Sequence, residues 1–303
     1  MSILTFLKDF PDSKACAEHF KKQREKEGII CKKCQSKEHY WLNCKSQWEC
    51  KSCSFRTTLK SGTMMEDSKM SFHKWYLAMA FMSSFKKGIS AKELQKQLGQ
   101  NRYESIWSLM HKIRQAMGKR DNMYTLSGTV EFDEGYFAIE SNQEIKKNLK
   151  RGRGSEASIN VAVMAESTPL EDVKTGKQSS HCRYFKMIVV GDHLADSVNK
   201  IVSKSIKKDA ILITDLSTSY ADFEKIVEAK ISEKSSENLT KTALKWVHVA
   251  ISNAKRNFNG VYHKINEQYL QNYLDEFCYK LNRRYLGENI FSRLTLAVAK
   301  SYW

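Results

Sequence analysis

Val130-Glu131-Phe132-Asp133-Glu134-Gly135-Tyr136-Phe137 alternates apolar and acidic side chains and gathers its acids just before a glycine. Alternation with period two predicts a strand with one buried face. A carboxylate at the end of such a strand is held rigidly and offers hard oxygen atoms, as a divalent cation requires. The pattern also fits a surface turn with solvated acids, so the rest of the chain has to decide.

Downstream, the texture predicts strands near 129–134, 159–164, 183–190 and 210–214, with a crossover helix near 192–203. Ile211-Leu-Ile-Thr-Asp215 is a second strand that ends in an acid. Its nearly all-apolar run suits a strand covered on both faces. Adjacent strand ends would bring Asp133 and Asp215 together, where one carboxyl tends to hold a proton unless cations neutralise the pair. Two such cations activate an attacking oxygen and stabilise a leaving one, which is the chemistry of phosphoryl transfer. Magnesium suits the oxygen ligands. The plainer role for Asp215 is to cap a following helix.

A third ligand would come from the helix predicted over 246–258, where Val247, Ala250, Ile251, Ala254 and Phe258 share one face. His248, Ser252 and Lys255 run along one edge of that face and Asn253 lies on its other flank. His248 suits either a metal ligand or a core-edge histidine. Asn253 suits either an amide oxygen on a metal or a solvated residue, and Lys255 a phosphate contact. Between the strands, 141–158 holds Arg151 and Arg153 with several lysines and glycines, a loop able to close on phosphates or simply solvated. Further on, Tyr273, Leu274, Phe277 and Leu281 predict a core-packed helix whose Asp275 and Glu276 are solvated, or whose Glu276, Lys280 and Arg283 form an ion-pair stripe beside the DNA.

Upstream, Cys31-Lys-Lys-Cys34 and Cys50-Lys-Ser-Cys53 bracket fifteen residues. Two CxxC pairs at this spacing predict a zinc ribbon, each pair on a tight turn and the intervening residues forming a hairpin. Four thiolates leave no open coordination position, so this Zn2+ is expected to be structural. Cys16, Cys44, Cys182 and Cys278 lack metal spacing and are expected as small core residues. Between the ribbon and the strands, Ser90 with Glu93 forms a capping box for a helix 91–98 that ends at Gly99. A longer helix follows from about 101 to 117. The pair fits either a helix-turn-helix, with Arg102, Lys112 and Arg114 contacting DNA, or a plain helical hairpin.

The whole chain has 303 residues and a formal charge of +16. Charge spread along the sequence favours a polyanionic partner, most simply double-stranded DNA. No apolar run is long enough to span a membrane, and the N-terminus lacks the features of a signal peptide. The expectation is a cytoplasmic, nucleoid-associated protein with reduced or metal-bound cysteines. Composition shifts suggest N-terminal helices at 1–27, a ribbon at 28–60, a helical DNA-binding region at 61–122 and an α/β catalytic domain at 123–303.

Taken together, the two CxxC pairs, Val130–Phe137, Ile213-Thr-Asp215, the segment 246–256, Gly260-Val-Tyr-His263, Tyr273-Leu-Asp-Glu-Phe277 and Asn282-Arg-Arg284 resemble a bacterial insertion-sequence transposase of the ISXO-like group. The resemblance covers nearly the whole chain. It implies an RNase H-like, retroviral integrase-type catalytic domain behind a zinc ribbon and a helix-turn-helix-like region. It also implies a DDE-type site with Asp133 and Asp215 as its first two members and Mg2+ or Mn2+ as cofactor. Such sites usually place Glu third, and the helix 246–258 has none. The group's variant with Asn followed by Lys points to Asn253 as third ligand and Lys255 as phosphate contact, with His248 the alternative and Arg256 beside them on the DNA. Binding to terminal inverted repeats, strand cleavage and strand transfer in a homo-oligomer are implied as well. The competing expectations are a non-catalytic zinc-ribbon DNA-binding protein and a junction-resolving nuclease on the same fold.

Overall fold

The computed structural model describes residues 2–139, 158–171, 178–191, 195–216, 218–233, 244–263 and 265–300. Along the chain its elements are α1 (Ile3–Asp9), α2 (Ser13–Glu27), β1 (His39–Leu42), β2 (Gln47–Cys50), β3 (Arg56–Thr58), α3 (Phe72–Ser84), α4 (Ala91–Gln97) and α5 (Tyr103–Asn122). There follow β4 (Thr129–Ala138), β5 (Ser158–Glu171), β6 (Gln178–Val189), α6 (Ala195–Ser205), β7 (Ile211–Asp215), β8 (Ala229–Glu233), α7 (Lys245–Val261), α8 (Leu270–Asn282) and α9 (Asn289–Ala299). Contacts divide them into two units, Met1–Arg120 with Arg283–Trp303, and Asp121–Asn282.

In the first unit the helices start where side chains cap them. Asp12 Oδ1 accepts the Ala15 N–H at 2.8 Å, and Ser90 Oγ accepts the Glu93 N–H at 3.1 Å. Strands β1, β2 and β3 form a small antiparallel sheet. The Arg24 guanidinium of α2 ties this sheet down. It donates to the Thr58 and Leu59 carbonyls at 3.0 and 2.9 Å and lies 5.0 Å from the Trp48 ring. Helix α9 returns from the far end of the chain, and its Phe291 ring meets Phe6, Phe10 and Tyr76. Residues 283–303 thus group with the N-terminal residues, a division that differs from a single domain over 123–303.

In the second unit the strand order is β6-β5-β4-β7-β8. The first three pair antiparallel, and β7 and β8 run parallel to β4. This is the mixed five-stranded sheet of an RNase H-like domain. Even-numbered residues of β4, Val130 and Phe132, pack with Val198 and Val202 of α6 and with Phe223 of the 3-10 turn Thr218–Lys225. On the other face, Phe137, Val161 and Val163 pack with Val247, Ala250 and Phe258 of α7 and Leu274 of α8. Strand β8 was not foreseen, since Ala229-Lys-Ile-Ser-Glu233 is short and has only one large apolar residue.

The outer edge of β6 would present unpaired backbone groups, which proteins usually cover. Here α8 covers it with two side-chain amides. Gln271 accepts from the Val189 N–H at 2.9 Å and donates to the Met187 carbonyl at 3.0 Å. Asn282 accepts from the Phe185 N–H at 2.7 Å and donates to the Phe185 carbonyl at 3.0 Å. Because α8 is enclosed on more than one side, its acids are not solvated as expected. Glu276 is 3% exposed and accepts from Lys280 Nζ at 3.3 Å.

Candidate functional site

The register of β4 and β7 pairs Thr129 with Ile211, Val130 with Leu212 and Glu131 with Ile213. Two residues further along each strand stand Asp133 and Asp215. In-register parallel residues point to one face, so the two carboxylates are neighbours where β7 ends, although β4 itself runs on to Ala138 and not, as expected, only to about 134. Asp133 Oδ1 accepts the Glu134 N–H at 2.8 Å. Burial pushes the Asp133 carboxyl above its usual range, and the negative charges of Asp215 and Glu134 push the same way. The Glu134 N–H and His248 oppose them. Glu134 faces the other side and accepts from Asn160 Nδ2 at 2.7 Å.

Helix α7 lies along β4 and touches it at every second strand residue. Glu131, 2% exposed, accepts the Trp246 and Val247 N–H groups through Oε2 at 2.7 and 3.2 Å. Burial pushes its carboxyl up to about 7 against those two hydrogen bonds. Next, His248 Nε2 stands 3.6 Å from Asp133 Oδ2. A Cβ on Gly135 would come within 3.2 Å of Ile251 Cγ1, so the glycine permits the close approach of helix and strand. Finally, Lys255 Nζ lies 5.7 Å from the centre of the Phe137 ring. Asn253 and Arg256 are exposed on α7. The helix therefore brings His248 to Asp133 and leaves Asn253 in solvent. Sequence reasoning missed Glu131, although the acid two residues before Asp133 on one strand face was a usable signal.

Two neighbouring carboxylates, one disfavoured by burial and by the other's charge, have the chemistry of a divalent-cation site. An imidazole beside them adds a nitrogen donor. Among the described residues, these three are not drawn into a closed cluster of ligand atoms. An open site suits Mg2+, which keeps waters and takes substrate phosphate oxygens.

The cysteines, by contrast, do converge. Sγ atoms of Cys31, Cys34, Cys50 and Cys53 all lie within 4.8 Å of one another, with Cys31 to Cys53 and Cys34 to Cys50 at 3.5 Å. Each pair sits on its own knuckle of the same form. The Gln35 N–H donates to the Cys31 carbonyl and the Ser54 N–H to the Cys50 carbonyl, each at 2.9 Å, with Gln35 and Ser54 at φ 60° and 57°. These distances fit four thiolates around one tetrahedral Zn2+. Cys44 is exposed, not a core residue, since it lies in the turn between β1 and β2.

The basic candidates separate by environment. Arg102 is exposed just before α5. Lys112 Nζ donates to the Glu66 carbonyl at 2.8 Å, a structural bond within the first unit. Arg114 is 1% exposed, and its place among DNA contacts is corrected: α5 is buried around most of its circumference there. Arg151 and Arg153 lie outside the described residues.

Residues 125–282, more than half of the chain, match the ISXO2-like transposase domain family. No curated protein matches the chain. No helix among the described residues is long and apolar enough to cross a membrane.

Proposed function

The chain belongs to the ISXO2-like transposase family, and from that premise we propose that it is a metal-dependent DNA transposase with Asp133, Asp215 and His248 as its catalytic group. One observation carries this reading: β4 and β7 run side by side with Asp133 within β4 and Asp215 at the end of β7, and His248 Nε2 is 3.6 Å from Asp133. Bound Mg2+ or Mn2+ would activate the attacking water or 3′ hydroxyl and stabilise the departing oxygen. Asp133 and Asp215 supply the hard oxygens, and His248 takes the third place in preference to Asn253. Lys255 and Arg256, exposed on the same helix, are suited to phosphates of the bound strand. Arg102 and the exposed first turn of α5 are suited to a DNA groove, as in a helix-turn-helix. The Cys31, Cys34, Cys50 and Cys53 thiolates hold a structural Zn2+ that does no chemistry. Two element ends and a target are joined most simply by a homo-oligomer.

An imidazole in place of a third carboxylate leaves the metal site one negative charge poorer. That departure favours a second reading, a DNA-binding protein that no longer cleaves. The deciding experiment is cleavage and strand transfer on the element's own ends, with Mg2+ and then Mn2+. Activity lost in Asp133→Ala and in Asp215→Ala is expected. Cleavage that persists in both overturns the site, and binding without cleavage in either metal selects the second reading.

A further inference from the structure

Among the described residues, helix α7 has no side-chain cap from its own N-terminus. Its N-cap residue is Leu244, with no side-chain hydrogen bond to the first turn. The N–H groups of a first turn need partners, and here two of them are met by Glu131, a strand residue 115 positions earlier in the chain. A carboxylate also suits the positive end of the helix dipole. Glu131 shares its face of β4 with Asp133, two residues on, while His248 directly follows Val247, whose N–H is bound. The strand that carries the first acid of the site therefore also grips the helix that carries the third donor. A helix held at one end still rotates and slides, but a second rung further on, Gly135 against Ile251, removes that freedom.

We infer that Glu131 is a positioning residue for the metal site: by capping α7 from β4, it holds His248 in register with Asp133. The inference rests on the proposed catalytic group and adds to it a residue that does not touch the reacting atoms. A buried carboxylate could instead merely stabilise the fold, and the two roles differ in what they move. Positioning predicts a loss in metal affinity in a chain that remains folded, and rescue by any side chain that keeps an acceptor at the cap.

The test uses the full chain with Mn2+ alone, its binding followed by electron paramagnetic resonance. Amide hydrogen exchange at Trp246 and Val247 is read in parallel. Glu131→Gln keeps an amide oxygen at the cap, whereas Glu131→Ala removes it. Glu131→Met also removes it but fills the buried volume, so it serves if the alanine variant does not fold. The Met or Ala variant is expected to weaken Mn2+ binding roughly 10- to 100-fold. Both amides should open to exchange, with zinc content and metal-free DNA affinity unchanged. The Gln variant is expected to stay close to the unsubstituted chain on every readout. Exchange that stays slow in Glu131→Met overturns the cap. Open amides with unchanged Mn2+ affinity, or a Gln variant as damaged as the Met variant, overturn the positioning role. Failure of the transposase reading is distinguishable, because it shows as absent cleavage by a chain whose exchange and Mn2+ binding behave as stated.

Discussion

His248 Nε2 stands 3.6 Å from Asp133 Oδ2, and this contact excludes Asn253 from the same point. Five residues along an α-helix is a rotation of about 140° beyond a full turn. His248→Ala is therefore expected to lower metal-dependent cleavage by roughly 100-fold or more. Asn253→Ala should leave the metal requirement unchanged. A metal titration of cleavage by the two variants checks this, and the reverse pattern would restore Asn253 as the third donor.

The residues at issue show why parts of the site were legible and others were not. Asp133 was legible because strand alternation is a local pattern, although β4 runs on past it to Ala138, and Asp215 because an apolar run ending in an acid is one; so were the paired CxxC knuckles. Helical periodicity put His248 and Asn253 on opposite flanks of one face, but periodicity carries no reference to the neighbouring strand. The Glu131 cap and the approach of α7 to Gly135 set that phase. The Glu131 cap spans 115 residues, so although the acid itself stands out on the strand, its partner on α7 leaves no local mark. Arg114 misled for a related reason: a basic residue on a long helix is usually exposed, and its burial is decided by tertiary packing. The grouping of α9 with the first unit rests on ring contacts of Phe291 with residues far away in sequence.

Covering a strand edge with two amides makes each of them costly to lose. Asn282→Ala leaves the Phe185 N–H and carbonyl without their partner, and Gln271→Ala does the same at Val189 and Met187. Each change is expected to destabilise the second unit by about 1–3 kcal/mol and to promote association through the bared edge. Urea unfolding and light scattering measure the two effects. A variant as stable and monodisperse as the parent would show the coverage to be incidental.

Asp275 sets a pH dependence. Burial pushes its carboxyl from 3.8 up to about 7, the charge of Asp121 adds to this, and the hydrogen bond from Gln271 at 2.8 Å opposes it. Between those values the folded chain keeps a proton that the unfolded chain has lost. Stability from this group is thus present at low pH and falls as pH rises from about 4 to about 7, by at most about 4 kcal/mol. Asp275→Asn should flatten that slope and raise Tm above pH 7 by several degrees, which calorimetry across the pH range reads directly. An unchanged slope would place the dependence on other groups.

Zinc binding at the knuckles should be inseparable from the folding of β1–β3. Cys50→Ser removes one of four converging ligands, and structural zinc sites of this kind are commonly unfolded without metal. Loss of the metal by elemental analysis, with a red-shifted tryptophan emission as the 4.9 Å contact between Trp41 and Trp48 breaks, is the expected result. A zinc-free chain with unaltered emission would mean that Arg24 and the apolar contacts hold the sheet unaided.

Arg102 and Arg114 lie on one short stretch and should fail in opposite ways. Arg102 is exposed at the entrance to α5, so Arg102→Ala should weaken DNA binding while leaving Tm unchanged. If its contact is to a phosphate, the slope of log affinity against log salt should fall by about 1. Arg114 is 1% exposed, and a buried guanidinium persists only where its donors are satisfied. Removing it strands those partners, so Arg114→Ala should lower stability by roughly 3 kcal/mol. Its salt slope should match the parent under conditions where the variant is folded. Titrations at several salt concentrations, paired with thermal unfolding, separate the two. A salt slope altered by Arg114→Ala in a chain of undiminished Tm would put that guanidinium on the DNA after all.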